Sequence, residues 1–320
     1  MSSLEKYSPV SASVIVAIYN TDLWIKRCLD SLLKQTINNF EVLLIDDGSL
    51  DESSIISDEY SLEDSKFCVF HKLNGGVSSA RQCGLMEANG EYIIHADPDD
   101  WTESVFLEHL QDKAQETNAD MVICDIWSES PVGSRYISQK PTLLNHKIVF
   151  YDIFHNLHGS CCNKLIRKKC FFEYGIFFCE DLVYCEDKII IARLLQEKIK
   201  ICHLSEGLYH YVYGYKASLS NLSQKDLYFK QKKIVDALNK YIKDDLKDSC
   251  MATEEGKLAV LALLCNGEEL NEFSSIFTYL KKDMKDFPLV VKIYFKLSFW
   301  GISKVVGKWM RMYTRLKKIY

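Results

Sequence analysis

Three aspartates, Asp97, Asp99 and Asp100, fall within the stretch GEYIIHADPDDW, directly after an apolar run. Like charges this close repel, and one of them would be driven toward protonation unless a cation joined them. A hard divalent ion such as Mg2+ or Mn2+ takes oxygen ligands of this kind. It commonly uses one or two carboxylates, completed by the phosphates of a bound nucleotide. The competing reading is a solvated turn, since Asp and Pro are both turn residues. Two further acidic pairs stand at Glu180-Asp181 and Glu186-Asp187. The second opens the helix-like run EDKIIIARLLQE, which puts it at the positive end of a helix dipole, where negative charge is stabilised.

The elements that position these groups follow from the apolar pattern. Ser13–Tyr19, Glu41–Asp46, Cys68–His71, Tyr92–His95 and Met121–Cys124 read as short buried strands. Helices are predicted over Leu23–Lys34, Asp51–Tyr60, Ser78–Ala88 and Glu103–Thr117. Asp51 or Ser49 would cap the second of these, and a serine the third. Such alternation with short links predicts an α/β fold with a Rossmann-like, mainly parallel sheet flanked by helices. In sheets of this kind ligands bind outside the carboxyl ends of the strands. Tyr19-Asn20, Asp46-Asp47-Gly48-Ser49 and Asp97–Asp100 all end strands, so one rim gathers carboxylates. Residues 128–145 read as loop, and 223–287 as helices with charged faces.

The chain has 320 residues, 48% hydrophobic and 26% charged, with net charge −5. That suits a soluble protein with a sizeable core and argues against nucleic acid as a partner. The polar N-terminus lacks the pattern of a signal peptide, and no apolar run is long enough to predict a membrane span. The twelve cysteines include no Cys-x-x-Cys spacing, and Cys161 and Cys162 are adjacent. Reduced, mostly buried thiols in a cytoplasmic protein are the expectation. No Gly-x-Gly-x-x-Gly or Walker pattern is present.

VIVAIYN, LLIDDGSLDES, NGGVSSARQCGL and GEYIIHADPDDW, in this order, closely resemble the family-2 glycosyltransferases of the GT-A fold, of the type that builds bacterial surface polysaccharide. The resemblance is strong over about the first 125 residues and looser to about 220. It implies a catalytic domain over 1–220, with a nucleotide-sugar half to residue 125 and an acceptor half from 126, and a helical C-terminal region over 221–320. Ala17 and Tyr19 would line the nucleobase pocket. Asp47 would accept from a uracil imide, a role suited to a group that only accepts. Gly75 and Gly76 would let the backbone pass close to the donor. Arg81 would sit near the diphosphate or sugar. Asp97 and Pro98 would contact the ribose or donor sugar, while Asp99 and Asp100 would hold Mn2+ or Mg2+.

The resemblance also implies inverting transfer from a UDP-sugar to a hydroxyl of a lipid-linked glycan, as in capsule or O-antigen synthesis. Asp187 would be the general base, supported by Glu186. Lys164, in CNKLIRKK, would touch a phosphate or the acceptor, and His203 or His210 would approach the metal or diphosphate. Departures from the family pattern are Ala17 for proline, Gln82 for asparagine, His95-Ala96 for an apolar pair, and Cys185 for a glycine before the Glu-Asp pair. Two other classes use parts of this pattern: a metal-dependent sugar nucleotidyltransferase and a non-catalytic nucleotide-sugar-binding subunit. The first usually carries a glycine-rich basic loop after strand one, where this chain has Tyr19-Asn20-Thr21-Asp22.

Residues 291–320 contain eight Lys or Arg and no Asp or Glu. At helical spacing Lys292, Lys296, Lys304, Lys308, Arg311 and Arg315 share one side. Phe295, Phe299, Ile302, Trp309 and Tyr313 share the other. A basic amphipathic helix of this composition suits an anionic membrane surface, placing the protein peripherally on the inner face of the bacterial cell membrane.

Overall fold

The computed structural model describes residues 11–180, 182, 184–213 and 223–264. It divides into two compact units, 1–215 and 216–320.

The first unit opens as β1 (Ala12–Ile18), α1 (Ile25–Leu33), β2 (Phe40–Asp46), α2 (Ser53–Glu63), β3 (Phe67–His71), α3 (Val77–Glu87) and β4 (Tyr92–His95). The four strands lie in the order β3-β2-β1-β4, all parallel. Their sequences are apolar without alternation because both faces are covered. Val14, Val16, Val42 and Leu44 pack into one core with Leu29 and Leu32 of α1. On the other face α3 approaches so closely that a Cβ at Gly84 would fall 2.5 Å from Ile15 Cγ2. Only glycine fits at that crossing.

The rest of the unit comprises β5 (Trp101–Thr102), α4 (Phe106–Thr117), β6 (Met121–Ser130), β7 (Gly133–Ile137), α5 (His146–His155), β8 (Lys164–Arg167), α6 (Lys168–Glu173), α7 (Glu186–Leu194) and β9 (Ile201–Val212). Here the sheet is mixed. Next to β4 come β8, β6, β9 and β5 in that order, with β7 paired on β6. β8 is antiparallel to both β4 and β6, so β6 runs in the same direction as β4. β9 is parallel to β6. The carboxyl rim of the parallel half therefore continues along β6 and β9, and polar groups from both halves meet on it.

Three local expectations are corrected. Residues 128–137 are not loop but the end of β6 and the hairpin strand β7. Their outward residues are polar, so no apolar run marks them. The helix α3 begins at Val77 with Gly76 at its N-cap, φ 86°, and no side-chain cap. The serine expected there, Ser78, is buried and donates to the Leu182 carbonyl. At α2 the N-cap position is Glu52, with no side-chain cap bond, and Asp51 stands one residue earlier, accepting from Ser53 N at 2.9 Å.

In the second unit α8 (Gln224–Tyr241) and α9 (Asp244–Leu264) pack on each other. Gln231 Nε2 donates to the Glu254 carboxylate across them at 2.7 Å. The basic stretch 291–320 lies outside the described residues. Among the described residues no helix is long and apolar enough to cross a membrane, and all eleven cysteines are free thiols.

Candidate active site

The rim after β4 carries the three aspartates, and each has a different environment. Asp97 Oδ1 accepts from Arg81 at 2.8 Å, and Oδ2 from the Cys162 thiol at 3.1 Å. Asp100 accepts from Val212 N at 2.7 Å and from the Tyr209 hydroxyl at 2.8 Å. The same hydroxyl accepts from Asp97 N at 3.0 Å, so Tyr209 ties both ends of the acidic loop to β9. Among the described residues the Asp99 carboxylate has no hydrogen-bond partner; only its carbonyl is held, by Arg27 at 2.5 Å.

Burial and the neighbouring Asp97 push Asp99 up to about 6. Burial, Asp97 and Asp99 push Asp100 well above the usual carboxylate range. Asp97 goes the other way: burial opposes its ionisation, but Arg81 and the Cys162 thiol hold it below that range. The arrangement thus leaves two carboxylates short of positive charge. Oxygens of Asp97 and Asp100 and the Cys162 sulfur lie within 4.8 Å of one another, and of these the carboxylate oxygens are the donors that suit a hard divalent cation. Asp99 offers the free carboxylate. Asp100, with both oxygens already bonded, is less available than the sequence suggested.

Arg81 is the centre of the charge network. It is 4% exposed. Besides Asp97 it binds Glu186 at 2.5 Å and stands 4.0 Å from Asp187. Burial works against its charge, and Glu186, Asp97 and Asp187 more than offset this. Its expected place is near the diphosphate or sugar; in the structure the guanidinium is enclosed by the site's own carboxylates. Burial raises Glu186 to about 7, even with Arg81 lowering it.

Asp187 differs from its neighbour. Its side chain is 18% exposed against 8% for Glu186. Its Oδ1 accepts from Lys188 N at 2.7 Å in the first turn of α7, leaving Oδ2 toward the site. Cys185, which precedes the pair, has φ 53°, a left-handed geometry that explains why a glycine suits this position. Glu180 is exposed at the surface, and Asp181 lies outside the described residues.

On the nucleotide side, Ala17 is half-buried near the end of β1, and Tyr19, just beyond it, is 46% exposed. Asp47 is buried and accepts from Gly75 N at 2.9 Å, from Gly76 N at 2.7 Å and from Lys72 Nζ. It fixes the glycine turn, and its accepting capacity is largely in use. Pro98 is buried inside the acidic loop.

Lys164, His203 and His210 are not free to meet a ligand. Lys164 is 0% exposed, and its ammonium donates to His158 O, Ser160 O and Asn163 Oδ1, each at 2.7 Å. Burial lowers it to about 8. It braces the 158–163 loop from inside. His203 Nε2 bonds Asp125 Oδ1 at 2.9 Å. His210 is stacked between Trp101 and Trp127, with ring nitrogens bonded to Glu129 at 2.8 Å and Glu103 at 2.9 Å. The departure His95 is buried against Phe178 with neither ring nitrogen bonded, and burial and Arg81 lower it to about 3, so it is a neutral core residue. Sequence reasoning missed Tyr209 and Cys162, whose partners lie more than sixty positions away.

The parallel half-sheet, with carboxylates on its rim and a Glu-Asp pair at a helix start, is an α/β fold of the GT-A kind. The sequence model of glycosyl transferase family 2 matches residues 13–175, and the chain belongs to that family. It is 31% identical over 208 residues to the uncharacterized glycosyltransferase EpsJ of Bacillus subtilis, covering 62% of this chain and 60% of EpsJ. The chain thus spans about three fifths of that relative's length. Among solved structures, S. aureus TarS 1–349 in complex with UDP-GlcNAc superposes with TM-score 0.64 at 22% identity, covering 94% of this chain and 92% of that one. The mannosyltransferase PcManGT from Pyrobaculum calidifontis, in complex with GDP-Man and Mn2+, superposes with TM-score 0.56 at 13% identity, covering 95% and 88%.

Proposed function

We propose that the protein transfers a sugar from a UDP-sugar to a hydroxyl of a lipid-linked glycan, with inversion, in bacterial surface-polysaccharide synthesis. The observation that carries this reading is the pairing, through one buried arginine, of the Asp97–Asp100 loop with the Glu186-Asp187 helix start. The UDP donor is supported by the TarS complex with UDP-GlcNAc, together with the exposed Tyr19 and the glycine turn that Asp47 fixes on the nucleotide side.

Asp187 serves as the base. Its exposed oxygen takes the proton of the acceptor hydroxyl as that oxygen bonds to the anomeric carbon. The bond from that carbon to the UDP oxygen breaks, and its electron pair leaves with the diphosphate. Asp187 stands in the first turn of α7, at the positive end of the helix dipole. Glu186 is committed to Arg81 and acts by holding it in place. Arg81 in turn orients Asp97 toward the donor sugar. Asp99, aided by Asp97 or Asp100, would hold Mn2+ or Mg2+, which supplies Lewis-acid stabilisation of the diphosphate leaving group.

The basic stretch 291–320 would hold the enzyme at an anionic membrane face, where such an acceptor resides. Loss of vesicle binding on truncation to 1–290 tests that part. The catalytic reading is tested by calorimetry of UDP and a UDP-sugar panel with Mn2+ on wild type, Asp99→Ala and Asp187→Asn. Asp187→Asn is expected to bind donor normally and to lose about 100- to 10,000-fold in turnover. If neither UDP nor any UDP-sugar binds wild type, the reading fails.

A further inference from the structure

Two polar side chains at this site take no part in the scheme above. His158 opens the loop between α5 and β8, and Tyr211 lies near the end of β9. The His158 backbone is fixed, its N donating to Gln139 Oε1 at 2.6 Å and its carbonyl accepting from Lys164 at 2.7 Å. The next residue, Gly159, is pressed on α7: a Cβ there would lie 2.8 Å from Lys188 Cε. The loop is thereby seated against the helix turn that carries Asp187. The imidazole meets the Tyr211 ring edge-on, with centroids 4.7 Å apart and planes at 61°. Tyr211 is followed by Val212, whose N–H binds Asp100. The two rings therefore form a corner that reaches from the acidic loop toward Asp187.

The corner is polar and unspent. Among the described residues neither ring nitrogen of His158 nor the Tyr211 hydroxyl has a hydrogen-bond partner, and both side chains are only partly buried. Their neighbours Asp97, Asp100, Glu186, Lys164 and His210 all have theirs. Burial and Lys164 hold His158 down to about 4. The ring is then neutral and offers one donor and one acceptor, which matches a hydroxyl. Tyr211 is pushed above its ordinary range by burial and by the nearby Asp97 and Asp100, so its hydroxyl also keeps its proton.

We propose that His158 and Tyr211 form the acceptor subsite, and that its ligand is an uncharged polyhydroxylated group, either a pyranoside or an alditol. This rests on the glycosyltransferase reading. The apolar face of the acceptor packs on Tyr211, one of its hydroxyls exchanges hydrogen bonds with His158, a second meets the Tyr211 hydroxyl, and another is presented to Asp187. A few polar groups set among aromatic surfaces are the usual make-up of such a site. The surrounding carboxylates disfavour an anionic ligand at this point: Asp97, Asp99 and Asp100 all act on Tyr211, and Asp187 and Asp97 on His158.

The test is NMR of the histidine ring signals with UDP and Mg2+ bound, the His158 signal being assigned by its loss in His158→Asn. Methyl glycosides form one arm and ribitol the other, each titrated to about 100 mM, a range that detects millimolar binding. At least one probe should shift the His158 signal. Binding of that probe should weaken roughly tenfold in His158→Asn and in Tyr211→Phe, as expected for one or two lost hydrogen bonds. UDP affinity should stay within about twofold, which also shows that both variants are folded. The arm that responds distinguishes a ring from an open-chain acceptor. The subsite is overturned if no probe shifts the His158 signal while UDP binds, or if the variants bind the probe as tightly as wild type. Failure of UDP itself to bind wild type would instead strike the donor reading.

Discussion

Arg81→Ala should destabilise the first unit strongly, and more so at high pH. The guanidinium is almost fully enclosed and binds two carboxylates at 2.5 and 2.8 Å. Removing one partner of a buried ion pair typically costs about 3–5 kcal/mol, because the charges left behind are uncompensated. For a unit of this size, each kcal/mol lowers Tm by roughly 2–4 °C, so the expected loss is about 6–20 °C. The sign of the pH dependence follows from Glu186, already raised to about 7 while Arg81 is present. Without Arg81 its folded value rises further. A raised carboxyl is bound to its proton more tightly in the folded state, so it costs stability as pH rises through that value. The penalty should therefore be larger at pH 8.5 than at pH 6, since acid protonates the stranded Glu186. Scanning calorimetry of wild type, Arg81→Ala and Arg81→Lys at both pH values makes the comparison. A Tm loss below about 2 °C at pH 8.5, or a loss that grows toward acid, would refute the assignment of Arg81 as the buried counter-ion.

Asp99→Asn should raise Tm at pH 7.5 without divalent ions, because Asp99 is raised to about 6 by burial and Asp97 and its ionised form costs stability. The gain should vanish near pH 3, below both the folded and unfolded values, and Mn2+ should stabilise wild type but not the variant. His210→Ala should lower stability by about 2–3 kcal/mol through loss of stacking on two tryptophans, yet leave Mn2+ affinity by calorimetry unchanged; a large drop in that affinity would return His210 to the metal site. Lys164→Met should cost about 2–4 kcal/mol in denaturant unfolding by leaving its three acceptors unsatisfied, whereas a specific loss of donor affinity at full stability would make it a phosphate contact after all.

The parallel half was legible because its strands are covered on both faces and appear as unbroken apolar runs, each ending in a polar motif. The mixed half was less so. β8 has four residues, and β9 mixes histidine, glutamate and tyrosine over a register irregularity opposite Cys124 and Asp125. The β6–β7 hairpin shows polar residues outward and reads as loop. Among the candidate site residues, Asp99 and Asp187 were picked out by the family resemblance together with their places after an apolar run and at a helix start. Arg81 was found, but its pairing with Glu186 was not, since Glu186 comes 105 positions later in the chain. His210 and Lys164 attracted attention as polar residues near motifs, and no local signal shows that both are spent on internal partners.

The end of β9 has a consequence for how such an enzyme diversifies. Tyr209 secures the acidic loop, His210 fills the tryptophan stack, Tyr211 faces the open corner and Val212 binds Asp100. Four successive residues thus serve the acidic loop, the tryptophan stack and the open corner, and a one-residue insertion or deletion would turn every one of them to the wrong side. This stretch should vary among descendants by substitution and hardly at all in length. The β6–β7 tip is under no such bond, with Val132 96% exposed and open space around Gly133. Length changes should accumulate there, leaving the cation loop untouched.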